Sequence, residues 1–135
     1  MNAYKGQCLC GLIKYKVDKI EPKMGHCHCS MCRKFHGAAF ATFGEAKKEN
    51  FHWLEGEEQL KSFNADNGTI RQFCTNCGSS LIFKPANDLG DVVEFSLGTL
   101  DSKLKLKPDA HIYTEYKADW VNICDSLPQF KEDRD

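Results

Sequence analysis

Cys8-Leu9-Cys10-Gly11-Leu12-Ile13-Lys14-Tyr15-Lys16-Val17-Asp18 sets a close pair of thiols directly ahead of an alternating stretch. Ile13, Tyr15 and Val17 fall on one side and Lys14, Lys16 and Asp18 on the other, the period of two of a half-buried β-strand. Gly11 marks a tight hairpin turn, which places the two thiols at the turn. A second pair, Cys74-Thr75-Asn76-Cys77-Gly78, has the shape of a zinc knuckle, in which glycine permits the turn that aims backbone N–H groups at sulfur. Cys8, Cys10, Cys74 and Cys77 together make a four-thiolate set that clips two distant segments. It closes a loop of more than sixty residues, which fits a structural metal whose binding energy is part of folding.

Other segments carry the same strand signature. Residues 91–98 alternate with Val93, Phe95 and Leu97 inward. Shorter candidates lie at 38–43, 59–63, 69–73, 81–84 and 111–116, separated by turn-forming runs such as Asn64-Ala65-Asp66-Asn67-Gly68. Helical signal is thin. Trp120, Ile123, Cys124 and Leu127 recur at helical spacing and predict one short amphipathic helix with Cys124 in the core, and a turn or two is expected around residues 31–35. The expectation is a mostly β single domain over residues 1–130 with one or two short helices, followed by a solvated tail at 131–135.

The 135 residues are 41% hydrophobic and 27% charged, the balance of an ordinary globular domain. No stretch approaches the roughly 20 apolar residues of a membrane span, and Met1 to Gly11 holds no apolar core of the secretory kind. A reducing cytoplasm is therefore the expected setting, where clustered cysteines serve as metal ligands rather than disulfides. The formal net charge is −1 and the lysines are scattered, which argues against a nucleic-acid partner.

Cys27-His28-Cys29-Ser30-Met31-Cys32 is a different kind of cluster. It brings three thiols to one ion from a single local segment and leaves a fourth position free, as a catalytic zinc requires. Two zinc ions with different jobs are thus expected. A closed second structural site, completed by His26, His28, His36 or Cys124, is the competing arrangement, and a single ion shared among the clusters is another. Alternation turns His26 and His28 away from a metal faced by Cys27 and Cys29, where either could orient ligands or donate a proton. His36 could line the same site, whereas His52 and His111, both in strand-like contexts, read as packing or surface residues. Arg33, Lys34 and Arg71 sit beside clusters that become negative on metallation, suited to charge compensation or to capture of a substrate carboxylate.

The order Gly6-x-Cys8-x-Cys10-Gly11, Cys27-His28-Cys29-x-x-Cys32-Arg33-Lys34 and Arg71-x-Phe73-Cys74-x-x-Cys77-Gly78-Ser79 resembles the glutathione-dependent formaldehyde-activating enzyme family, which is grouped with centromere protein V. The likeness continues through Gly98-Thr99-Leu100-Asp101 and Pro108-Asp109-Ala110-His111-Ile112 to Lys117 and Trp120. It implies a β-tent fold, two small antiparallel sheets joined by zinc knuckles. It also implies a structural zinc on Cys8, Cys10, Cys74 and Cys77, and a catalytic zinc on Cys27, Cys29 and Cys32. The activity it implies is carbon–sulfur lyase chemistry, the formation of S-(hydroxymethyl)glutathione from glutathione and formaldehyde.

On that basis the chain is expected to lower the pKa of a small thiol at the open zinc and direct the thiolate at an aldehyde, with His28 as a candidate proton donor. The contrasting expectations are a non-enzymatic zinc module that binds thiols or proteins, and a redox sensor built on the middle cluster.

Overall fold

The computed structural model describes residues 3–134 and forms two β-sheets. Strands β1 (Tyr4–Gln7), β2 (Lys14–Val17) and β5 (Phe51–Glu55) make an antiparallel three-stranded sheet in the order β1-β2-β5. The second sheet is built from β3 (Gly25–Cys27), β4 (Ala41–Lys47), β6 (Leu60–Asn64), β7 (Ile70–Cys74), β8 (Ser80–Lys84), β9 (Val92–Ser96) and β10 (Ala110–Ile112). Its order is β10-β3-β4-β9-β8-β7-β6. Every pair is antiparallel except β10 with β3, which is parallel. The one α-helix among the described residues, α1 (Ser30–His36), follows β3 directly. No helix is long and apolar enough to cross a membrane.

The two sheets lean together over an apolar core. Ile13, Tyr15, Val17 and Phe51 from the first meet Ala46, Leu81, Ile82 and Phe95 from the second. Tyr15 is the pivot: it stacks on Phe51 at 5.1 Å and contacts Phe95 at 5.8 Å. Its buried hydroxyl meets the Thr99 hydroxyl at 2.7 Å, and Thr99 donates in turn to the Ser96 carbonyl, so no polar atom is stranded there. Gly6 lies against the Tyr15 ring, where any Cβ would collide.

The opposite face of the large sheet carries α1 and the Cys27–Cys32 cluster. Ala41, Phe43 and Glu45 share that face of β4 by the two-residue period. Glu94 stands opposite Glu45, Phe83 opposite Glu94, and Arg71 opposite Phe83, a row of four side chains across four strands. Phe43 joins Cys27, Cys32 and Ala41 in a second, smaller buried cluster.

Most strand expectations match to within a few residues, and β5 covers the strand-like context of His52, but β1 and β3 have no counterpart among them and the predicted helix over 120–127 does not form. That segment is irregular, with Trp120 and Cys124 exposed rather than in the core. Local bonds outcompete helix: Lys117 Nζ caps the Val121 carbonyl at 2.6 Å, and Asp125 accepts from the Leu127 amide at 3.1 Å. Backbone bonds from His111 to Pro128 and from Phe130 to His111 then lay the residues that follow it along β10. Within the expected tail, residues 131–134 are tied back by Arg134, which forks onto Asp109 at 2.8 and 3.1 Å; Asp135 lies outside the described residues.

Candidate functional site

The first cluster forms where two hairpins meet. Cys8 and Cys10 lie in the β1–β2 connection, and Cys74 ends β7 just before the turn that carries Cys77. Gly11 and Gly78 hold φ of 82° and 80°, the left-handed conformation that lets each turn close under its sulfurs. All four Sγ atoms lie within 4.8 Å of one another. Cys8 and Cys10 sulfurs are 3.6 Å apart and Cys10 and Cys74 sulfurs 3.9 Å apart. A tetrahedral ion with sulfur ligands at about 2.3 Å has sulfur–sulfur edges near 3.8 Å, while a disulfide needs about 2.05 Å. These are free thiols spaced to hold an ion. The Ile13 amide donates to Cys8 Sγ at 3.3 Å, and the Ser79 hydroxyl lies 3.2 Å from Cys77 Sγ.

The second cluster straddles the junction of β3 and α1. Cys27 ends the strand, Cys29 is the helix N-cap, and Cys32 lies in the first turn, so strand, cap and helix each aim one sulfur at a common point. The cap is literal: Cys29 Sγ accepts from the Cys32 amide at 3.3 Å. The three Sγ atoms lie within 4.8 Å of one another, and among the described residues no histidine nitrogen, carboxylate or fourth sulfur completes the group. Contacts from Cys27 first, then Cys32, hold the Cys29 thiol far below its ordinary value, with Arg71 adding to the effect. Hydrogen bonding to Cys29 and Cys32, followed by burial, pushes Cys27 up. Three sulfurs grouped this closely are a donor set suited to a soft or borderline divalent ion.

The triad is the floor of a cavity of about 640 Å³ walled by β4, β7, β8 and the segment after β10. Arg71, Phe83, Glu94 and Tyr113 reach it from four different elements. Tyr113 is the residue that cysteine spacing could not find. It is held at φ 56° and ψ 37°, a conformation unusual for a non-glycine, and it packs against the Cys27–Cys32 cluster. Burial, then the charges of Asp133 and Cys27, raises its phenol.

The histidines sort differently from the cysteines. His28 is fully buried and does not line the cavity; its Nε2 meets His111 Nδ1 at 2.8 Å. His111 Nε2 in turn meets Asp125 at 3.0 Å. This carboxylate–imidazole–imidazole chain ties β3 to β10 and to the C-terminal segment. Burial, with His111 next, depresses His28 to about 4, so it is neutral near neutral pH. His26 bonds Thr42 at 2.7 Å, His36 Nε2 lies 3.4 Å from the Ser80 hydroxyl, and His52 pairs with Asp18 on the surface. Of Arg33, Lys34 and Arg71, only Arg71 reaches the cavity.

The family model described as "Glutathione-dependent formaldehyde-activating enzyme" matches residues 3–116. An uncharacterized lyase of Schizosaccharomyces pombe is 33% identical over 87 residues, 64% of this chain and 61% of that protein, so the match spans less than two thirds of the relative. A Halomonas elongata protein named "Putative glutathione-dependent formaldehyde-activating enzyme" is 28% identical over 127 residues, 88% of this chain and 80% of that one. A crystal structure of a Rhodobacter sphaeroides protein shares the fold with a TM-score of 0.61 at 21% identity, covering 75% of this chain and 91% of that chain.

Proposed function

The chain belongs to the glutathione-dependent formaldehyde-activating enzyme family, and from that premise we propose that it joins a small thiol such as glutathione to formaldehyde or a related aldehyde at the Cys27–Cys29–Cys32 cavity. One observation carries the reading: three convergent sulfurs with no fourth protein ligand among the described residues, opening on a cavity of about 640 Å³. We assign the closed set of Cys8, Cys10, Cys74 and Cys77 to a structural zinc and the triad to a catalytic one. Zinc bound at the triad would supply a Lewis acid at its open position, lowering the pKa of a thiol there.

The rest of the chemistry belongs to the chain. The thiol sulfur attacks the carbonyl carbon, forming one carbon–sulfur bond; the π pair moves to oxygen, and the thiol's proton ends on that oxygen as the hydroxyl of the adduct. Cys27, Cys29 and Cys32 fix where the sulfur stands. Tyr113, raised in pKa beside them, would donate to the oxygen as charge builds there. His28 acts at one remove, through His111 and Asp125, by stiffening the strand end that carries Cys27. A cytoplasmic setting, where glutathione keeps thiols reduced, suits this chemistry.

The purified chain should contain two zinc equivalents and accelerate S-(hydroxymethyl)glutathione formation, followed by NMR, with saturation in both thiol and aldehyde. Cys29→Ser should abolish the acceleration and one zinc equivalent. Saturable thiol binding with no faster adduct formation would leave a zinc-binding module in place of an enzyme.

A further inference from the structure

Arg71 is a buried cation held against the cysteine triad. It is 3% exposed, and among the described residues its guanidinium pairs with no carboxylate. Both terminal nitrogens instead donate to Cys32 Sγ, each at 3.6 Å. The guanidinium carbon lies 4.9 Å from the ring centre of Phe83 and 5.5 Å from that of Phe35, so two aromatic faces hold the fork in place, while Nε has no partner. Arginine keeps its charge at every accessible pH. Burying such a charge is costly unless a counter-charge stands beside it, and here the available counter-charge is thiolate sulfur.

The same arithmetic reaches the substrate. Three thiolates around a dication carry a net charge of −1, and a fourth thiolate brings it to −2 in a half-enclosed cavity. An anionic ligand therefore faces repulsion that a neutral nitrogen donor does not, unless a fixed cation offsets it. We propose that Arg71 is the counter-ion that lets the triad accept an anionic sulfur, and so is the residue that selects thiolates over neutral donors. It acts through its contact with Cys32, which makes it a positioning and specificity-determining residue. The inference rests on the triad holding a metal with an open position, as proposed above.

The test is ligand titration of the cobalt-substituted protein, read by its visible absorption, with glutathione as the anionic probe and imidazole as the neutral one. Arg71→Met removes the charge while keeping an apolar stem between the two rings. It should weaken glutathione binding about tenfold or more, the usual reach of an adjacent opposite charge, and leave imidazole binding within about twofold. Arg71→Lys, which keeps the charge and loses the fork, should retain most of the thiol preference. Parallel loss of both ligands, or no change in either, overturns the counter-ion role while the wild-type response leaves the thiol site standing. A wild-type protein whose spectrum ignores glutathione overturns both. If Arg71→Met does not fold, loss of the thiol preference in Arg71→Lys overturns the proposal and its retention supports it.

Discussion

The sulfurs of Cys10 and Cys74 lie 3.9 Å apart although 64 positions separate them in the chain. Through them the turn of the small sheet is bolted to the β7–β8 turn of the large one. Cys74→Ser should therefore lose one metal equivalent together with cooperative unfolding, because ion binding at this junction is part of the folding free energy. Metal analysis alongside near-ultraviolet circular dichroism checks this. A variant that keeps both its tertiary signal and its full metal content would show that the sheets hold together without the ion.

Cys29 has two jobs that substitution can separate. As N-cap of α1 its sulfur accepts from the Cys32 amide, and a serine hydroxyl can do the same. Cys29→Ser should lose the triad's metal with a melting temperature near wild type. Cys29→Ala loses the cap as well and should be less stable than Cys29→Ser by about 1 kcal/mol. Equal melting temperatures for the two variants would mean that the sulfur cap contributes nothing.

Tyr113→Phe should leave thiol binding intact and slow adduct formation by about tenfold or more, the scale of one lost donor to a developing oxyanion. Steady-state kinetics with varied thiol distinguishes this from a packing defect, which would raise KM for the thiol as well. An unchanged kcat removes the phenol from the mechanism.

Glu94 stands opposite Glu45 across β4 and β9, and burial, followed by the Glu45 charge, raises its carboxyl to about 7 from an ordinary value of 4.5. The folded chain then holds more protons than the unfolded one between those values, so this group's contribution is full below pH 4.5 and is lost as pH rises through 7. Glu94→Gln should be more stable than wild type at pH 8, by roughly 1–2 kcal/mol after allowance for solvent screening. The gap should narrow at pH 5.5. Paired urea titrations at each pH cancel the pH dependence of the cysteine clusters, and a gap that does not change with pH excludes Glu94 as its source.

What could be read in advance followed from the range of the interactions. The alternation of Ile13, Tyr15 and Val17, and the cysteine spacings, are local patterns, and the structure brings Cys8, Cys10, Cys74 and Cys77 together as one group and Cys27, Cys29 and Cys32 as another. The helix expected over 120–127 failed because periodicity of apolar residues cannot see a partner far away; Asp125 within that segment pairs with His111 of β10. Around His52 the pattern shows only a strand-like context, because the stacking of Phe51 on Tyr15 that anchors the strand joins residues far apart in sequence. Tyr113 and the chain from Asp125 through His111 to His28 join residues whose neighbourhood exists only after the sheets have closed. No spacing rule encodes that.

The parallel pairing of β10 with β3 sets an order of assembly. Ile112 stands beside Cys27, so one wall of the cavity arrives only after the long stretch between the two has been made and folded back. Contacts this distant in sequence are slow to form, because loop closure must precede any gain from the pairing. During synthesis the cysteine triad therefore emerges long before the wall that encloses it, and spends that interval as three bare thiols open to any metal or oxidant that meets them.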